Sequence, residues 1–204
     1  MRAPDAPDLA TQPAFFRLPG GAPVLVRAIR PHDAGPLQAY VRGLSPESRR
    51  NRFLGILSEL APTELARITR MDRPGALALL AFAANRRHET MGDTLIGEAI
   101  QAIAPGAGRC EIALSVRDDW QRRGLGMRLL RNMECRARMF GARFLIGDVL
   151  RTNTAMKALA RKLGFSIASP FTDARLVEIV KDLSVPQSGR PCGEEFAPPP
   201  SIAA

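Results

Sequence analysis

An α/β domain is predicted by three features of the sequence. Some apolar runs alternate with the two-residue period of a strand, and other segments repeat at three and four as in an amphipathic helix. A glycine-containing turn, residues 121–127, joins one such strand directly to one such helix. With 204 residues, 46% of them hydrophobic, the chain has enough apolar material for one core but not for a second enzyme domain. The ends read differently. Residues 1–21 (Pro4, Pro7, Pro13, Pro19) and 185–204 (Pro186, Pro191 and Pro198-Pro199-Pro200) are rich in helix breakers and poor in apolar periodicity. They are expected to be tails around a domain at 22–184.

Within that domain Val24 to Ile29 carries a strand signal, and Pro31-His32-Asp33 offers a cap before the helical positions Leu37, Tyr40, Val41 and Leu44. Ser45-Pro46-Glu47 has the chemistry of a second helix start: an N-cap serine, a proline in the first turn and an acid near the positive dipole end. Pro62-Thr63-Glu64 opens a third. Ala76 to Ala84 and Thr94 to Ala104 are apolar runs separated by the polar stretch Asn85 to Asp93, which suits two antiparallel strands. Arg109 to Val116 alternates, with Cys110, Ile112, Leu114 and Val116 on one face and Glu111, Ala113 and Ser115 on the other. After the turn, Leu125, Leu129, Leu130, Met133, Ala137 and Phe140 form a helical stripe that Gly141 ends. A strand at Phe144 to Val149, a helix from Asn153 to Leu163 closed by Gly164, and a strand at Leu176 to Val180 complete the domain.

The net charge of +9 invites a nucleic-acid reading. Against it, the charge is almost all arginine scattered from Arg2 to Arg190, and the 5% aromatic content is not interleaved with it; a solvated basic surface is the simpler expectation. Three cysteines, Cys110, Cys135 and Cys192, at spacings that fit neither a zinc site nor a disulfide framework, suggest a reducing, cytoplasmic setting. Cys110 and Cys135 are read as core residues, His32 and His88 as solvated ones, and no metal site is expected. The longest apolar run, Ala76 to Ala84, is too short to cross a bilayer.

The glycine turn carries the chemistry. A strand–loop–helix junction presents unpaired first-turn amides at a positive dipole end, and Gly124 and Gly126 let a bulky anion approach the amides from Arg122 to Met127. The ligand should therefore carry phosphates. A P-loop would need Gly-Lys-Ser/Thr where Gly126-Met127-Arg128 stands. A dinucleotide fingerprint would need glycine at Leu129, with only Asp148 in its favour.

Gln121-Arg122-Arg123-Gly124-Leu125-Gly126 resembles the acetyl-CoA loop of the GNAT N-acetyltransferase superfamily. Asn153-Thr154-Ala155-Met156, with Leu159, Leu163 and Gly164-Phe165, looks like that family's next cofactor-facing helix and following strand. Leu44 to Phe53 resembles the second helix of the bacterial protein lysine acetyltransferase branch, and the likeness covers about residues 22–182. It implies a mostly antiparallel central sheet, flanked by helices and splayed to admit pantetheine. The backbone of Leu114 and Val116 would pair with pantetheine, Gln121, Arg122, Arg123, Gly124, Leu125, Gly126 and Met127 would hold the pyrophosphate, and Asn153 would face the arm. The acceptor would be a protein lysine or a small amine; a non-catalytic acyl-CoA sensor is the alternative.

Acetyl transfer to an ammonium requires removal of a proton, because a lysine of pKa about 10.4 is charged at neutral pH. A carboxylate at the cleft can take it. Glu111 is the expected base, by its place in Glu111-Ile112-Ala113-Leu114-Ser115-Val116, which matches that branch's Glu-x-Ala-x-x-Val pattern, with Glu98 in reserve. The tyrosine that many relatives place on the helix after Asn153 is here Ala160.

Overall fold

The computed structural model describes residues 12–71, 75–83, 94–103, 106, 108–169 and 173–185. Its strands are β1 (Ala14–Arg17), β2 (Pro23–Ala28), β3 (Ala76–Ala83), β4 (Thr94–Ile103), β5 (Arg109–Val116), β6 (Phe144–Leu150), β7 (Ser166–Ala168) and β8 (Leu176–Asp182). The helices are α1 (Ala34–Gly43), α2 (Pro46–Phe53), α3 (Pro62–Thr69), α4 (Leu125–Met139) and α5 (Thr154–Lys162). The strands form one sheet in the order β1-β2-β3-β4-β5-β6-β8-β7. All neighbours run antiparallel except β5 and β6, which are parallel and in register only from Arg109/Phe144 to Glu111/Ile146. The mixed, mostly antiparallel, splayed sheet is thus present, and the splay begins at Glu111.

Helices cover the two faces unequally. On one face Leu125, Leu129, Leu130 and Met133 of α4 pack with Ile96, Ala99, Cys110 and Ile112 in the larger core. Gly97 allows this close approach, since a Cβ there would lie 3.2 Å from Leu129 Cδ1 and 3.3 Å from Leu125 Cδ2. On the other face Leu37, Tyr40, Val41 and Ile68 from α1 and α3 pack with Ala78, Leu80, Phe82 and Leu95. β3 is buried by both layers, which is why its sequence is continuously apolar.

Two local expectations change. Residues 14–17, inside the segment read as an N-terminal tail, form edge strand β1, with Ala14 and Leu18 buried and the Arg136 guanidinium donating to the Gln12 carbonyl at 2.7 Å. A four-residue strand between Pro13 and Pro19 is too short to show a period. Asp33 does not cap α1 through its side chain; its carboxylate instead accepts both Arg27 amino groups at 2.7 Å and the Arg30 N–H. Residues 1–11, the Asn85 to Asp93 stretch with His88, and 186–204 lie outside the described residues. His32 is exposed. Cys110 is a free thiol whose pKa burial pushes up to about 12, making it a poor nucleophile, and Cys135 is buried on α4.

Candidate active site

The junction between β5 and α4 forms as its residue types dictate. Gly124 caps α4 at φ +91°, a left-handed conformation that side chains rarely adopt, and Arg122 also lies in that region at φ +57°. The first helical bond of α4 is Arg128 N–H to Gly124 carbonyl. Among the described residues, the N–H groups from Arg122 to Met127 therefore have no protein acceptor. At Gly126 an added Cβ would rest in ordinary contact, 3.4 Å from Leu159 Cδ2, so the strict demand for glycine lies at 124 and is conformational. Leu125 itself is buried and can offer a ligand only its backbone. Arg122 and Arg123 are exposed, and the Arg123 guanidinium stacks over Trp120 at 5.1 Å, fixing the loop against the body. Gly124→Val should misdirect at least one of these amides. Hydrogen bonds to a charged group are worth about 1.5–3 kcal/mol, so calorimetry should show CoA affinity falling roughly tenfold or more with the fold retained by circular dichroism. Unchanged affinity would remove the loop from the binding site.

Beside this loop the sheet opens. Arg117 N–H donates to the Ile96 carbonyl across β4, so by antiparallel alternation the backbone groups of Leu114 and Val116 point away from β4, into the gap left by β6. One of them is already used. Gln121 Nε2 donates to the Val116 carbonyl and to Ser48 Oγ, each at 3.1 Å, and the Gln121 N–H bonds the Asp118 carbonyl. Gln121 therefore braces the loop from within rather than facing the cleft with a free donor. Asn153 caps α5, its Oδ1 accepting the Met156 N–H at 3.0 Å, which leaves its amino group as the polar end available to a ligand.

The sequence reading missed what holds α2 to this loop. Asp118 accepts hydrogen bonds from Ser45 N–H (2.9 Å), Ser45 Oγ (2.7 Å) and Ser48 Oγ (2.7 Å). Burial opposes its ionisation, yet these donors hold its carboxyl below the usual range. No sequence signal links residues 70 and more apart; only the serine N-cap was visible, and it is formed.

The two candidate bases differ sharply. Glu98 is 3% exposed, accepts Arg52 Nε at 2.5 Å and Nη2 at 3.2 Å, and accepts Ser115 Oγ at 2.7 Å. Tyr40 continues the chain, 3.0 Å from Ser115 Oγ; burial first, and then the Glu98 charge, push its pKa well above the ordinary phenol value. Burial works against the Arg52 charge, but Glu98 outweighs it and keeps that guanidinium charged. Glu111 is exposed, forms no ion pair among the described residues, and is the last β5 residue in register with β6. It stands where the gap begins. Ala160 is fully buried, and no phenol replaces it there. Among the described residues no three acids, histidines or cysteines gather to hold a metal, and no described helix is long and apolar enough to cross a membrane.

Comparison with known proteins agrees with this geometry. Residues 59–165 match the model of the acetyltransferase (GNAT) family. A curated acetyltransferase of Pseudomonas aeruginosa is 32% identical over 148 residues, covering 72% of this chain and 77% of that one. The crystal structure of the GNAT domain of S. lividans PAT superposes with a TM-score of 0.75 at 24% identity, covering 87% of this chain and 99% of that one. Salmonella typhimurium yncA, solved with its cofactor acetyl-CoA, superposes at 0.59 with 16% identity over 81% of this chain and 99% of that one.

Proposed function

This chain belongs to the GNAT acetyltransferase family, and on that premise we propose that it transfers acetyl from acetyl-CoA to the side-chain amine of a protein lysine by direct attack in a ternary complex. The observation that carries the reading is the opening between β5 and β6. It starts at Glu111, is lined by outward backbone groups at Leu114 and Val116, and ends at the free amides of the α4 N-terminus. Those amides suit the pyrophosphate of acetyl-CoA, with the N–H of Val116 and both backbone groups of Leu114 left for pantetheine and Asn153 beside the arm. Lysine as acceptor follows from the resemblance of Leu44 to Phe53 and of the Glu111 pattern to the bacterial protein acetyltransferases.

Glu111 is the base in this reading. It is exposed and forms no ion pair among the described residues, so it can accept the ammonium proton directly or through water, whereas Glu98 is buried and closed into an ion pair with Arg52. Tyr40 is no acid for the leaving group, being tied to Ser115 with a raised pKa. A thiolate of pKa about 8.5 departs without one. Cell lysate and a panel of free amines, each incubated with the protein and isotope-labelled acetyl-CoA, test the assignment: label should appear on protein lysines by mass spectrometry. Label on free amines alone would make it a small-molecule enzyme, and CoA binding without any transfer would make it a sensor.

A further inference from the structure

The sheet has a face that no described helix covers. Lys181 donates to Glu134 of α4 at 2.8 Å and to the Leu163 carbonyl at the end of α5 at 2.7 Å, so odd-numbered residues of β8 face those two helices. By alternation Glu178 and Val180 face the other way. The register extends that face across the sheet, with Ile146 beside Val180 and Glu111, and Asp148 directly opposite Glu178. The core beneath α1–α3 takes in β3 and β4 but no described residue of β6 or β8. Glu111 therefore sits on the seam between a helix-covered half and an open half of one sheet face.

The chemistry of the open half contrasts with the rest of the molecule. The chain carries a net charge of +9, yet here Ile146 and Val180, both partly exposed, are flanked by the carboxylates of Glu111, Asp148 and Glu178. Like charges directly opposite on neighbouring strands destabilise a sheet. Asp148 and Glu178 are such a pair, and the 2.7 Å bridge from Arg109 to Glu178 neutralises only one of them. An arrangement that costs stability and is continuous with the proposed base points to a ligand of opposite charge.

We propose that this open face of β6 and β8 is the acceptor-docking surface, and that its occupant is a basic polypeptide segment presenting the target lysine among other cationic residues. The inference rests on the lysine-acetyltransferase reading and narrows it to substrates of one charge. Ile146 and Val180 supply an apolar floor for the stems of long side chains, and Asp148 and the Glu178 oxygen that Arg109 does not hold receive the flanking cations while the target ammonium reaches Glu111.

The test uses two synthetic peptides of equal length with one lysine, flanked by arginines in one and by glutamates in the other. Exposed ion pairs are individually weak and Arg109 already bridges one of the two carboxylates, so the basic peptide should be favoured severalfold in kcat/KM at low salt, and high salt should erase the preference. In Asp148→Asn/Glu178→Gln the preference should collapse through KM, with kcat unchanged. The melting temperature should stay close to the wild-type value, because removing the like-charge pair offsets loss of the Arg109–Glu178 bridge; a structural role would lower it instead. Equal KM for both peptides, or a preference that survives in the double variant, would overturn the docking surface alone. If neither peptide is acetylated while free amines are, the lysine reading fails and this proposal with it. A dimer by sedimentation that the double variant dissolves would give the face to a second copy and overturn the proposal.

Discussion

Arg52→Ala should lower stability by about 3–5 kcal/mol, the usual consequence of stranding a buried charge. The partner left behind is Glu98, 3% exposed, with only the Ser115 hydroxyl still bonded to it among the described residues. Thermal melts should register a fall of roughly 10 °C, since each kcal/mol moves the midpoint by about 2–4 °C in a domain of this size. The damage should reach the cofactor loop as well. Arg52 ties the end of α2 to β4, while Ser45 and Ser48 tie its start to Asp118 and Gln121, so the helix spans from the sheet to the loop. Arg52→Ala/Glu98→Gln removes the charge together with its partner, and the amide oxygen of the introduced glutamine can still accept from Ser115. The double variant should regain most of the lost stability, because the main cost is the unpaired charge rather than the missing contact. A single variant that melts within a degree or two of the wild type would show that solvent reaches the Glu98 carboxylate.

What the sequence revealed and what it hid follow from the range of the interactions. The alternation of Arg109 to Val116 placed Glu111, Ala113 and Ser115 on one face, and the β4–β5 register keeps them there opposite Ala102, Ile100 and Glu98. The serine N-cap of α2 and the stripe of α4 from Leu125 to Ala137 are local and formed as expected, whereas Phe140, read as the last member of that stripe, lies past the helix and is exposed. Edge strand β1 was hidden by its length. Glu98 was hidden for another reason: its partner Arg52 lies 46 residues away, so the sequence presented a free carboxylate on a strand where the structure has a closed ion pair. The parallel β5–β6 junction likewise depends on the order of strands across the sheet, which periodicity does not encode; the resemblance to acetyltransferases supplied the splay, and the register located it at Glu111.

Glu111→Gln tests the proposed proton acceptor, and kcat near neutral pH should fall by about 10²–10⁴-fold, the usual range for loss of a general base. Glutamine keeps the shape and the hydrogen-bonding reach but cannot take a proton. Acetyl-CoA affinity should be unchanged, because the free amides of 122–127 and the outward groups of β5 are untouched by the replacement. The pH profile separates this from a structural defect. With no base, the rate follows the fraction of acceptor amine that is already neutral, which grows about tenfold per pH unit until the lysine pKa of about 10.4 is approached. The variant should therefore close the gap to the wild type as pH rises, whereas a misfolded site would stay slow at every pH. Stability should also be kept, since Glu111 is exposed and forms no ion pair among the described residues. Undiminished turnover with a wild-type profile would transfer the proton to Glu98, another acid or solvent, and would leave Glu111 as part of the acidic surface alone.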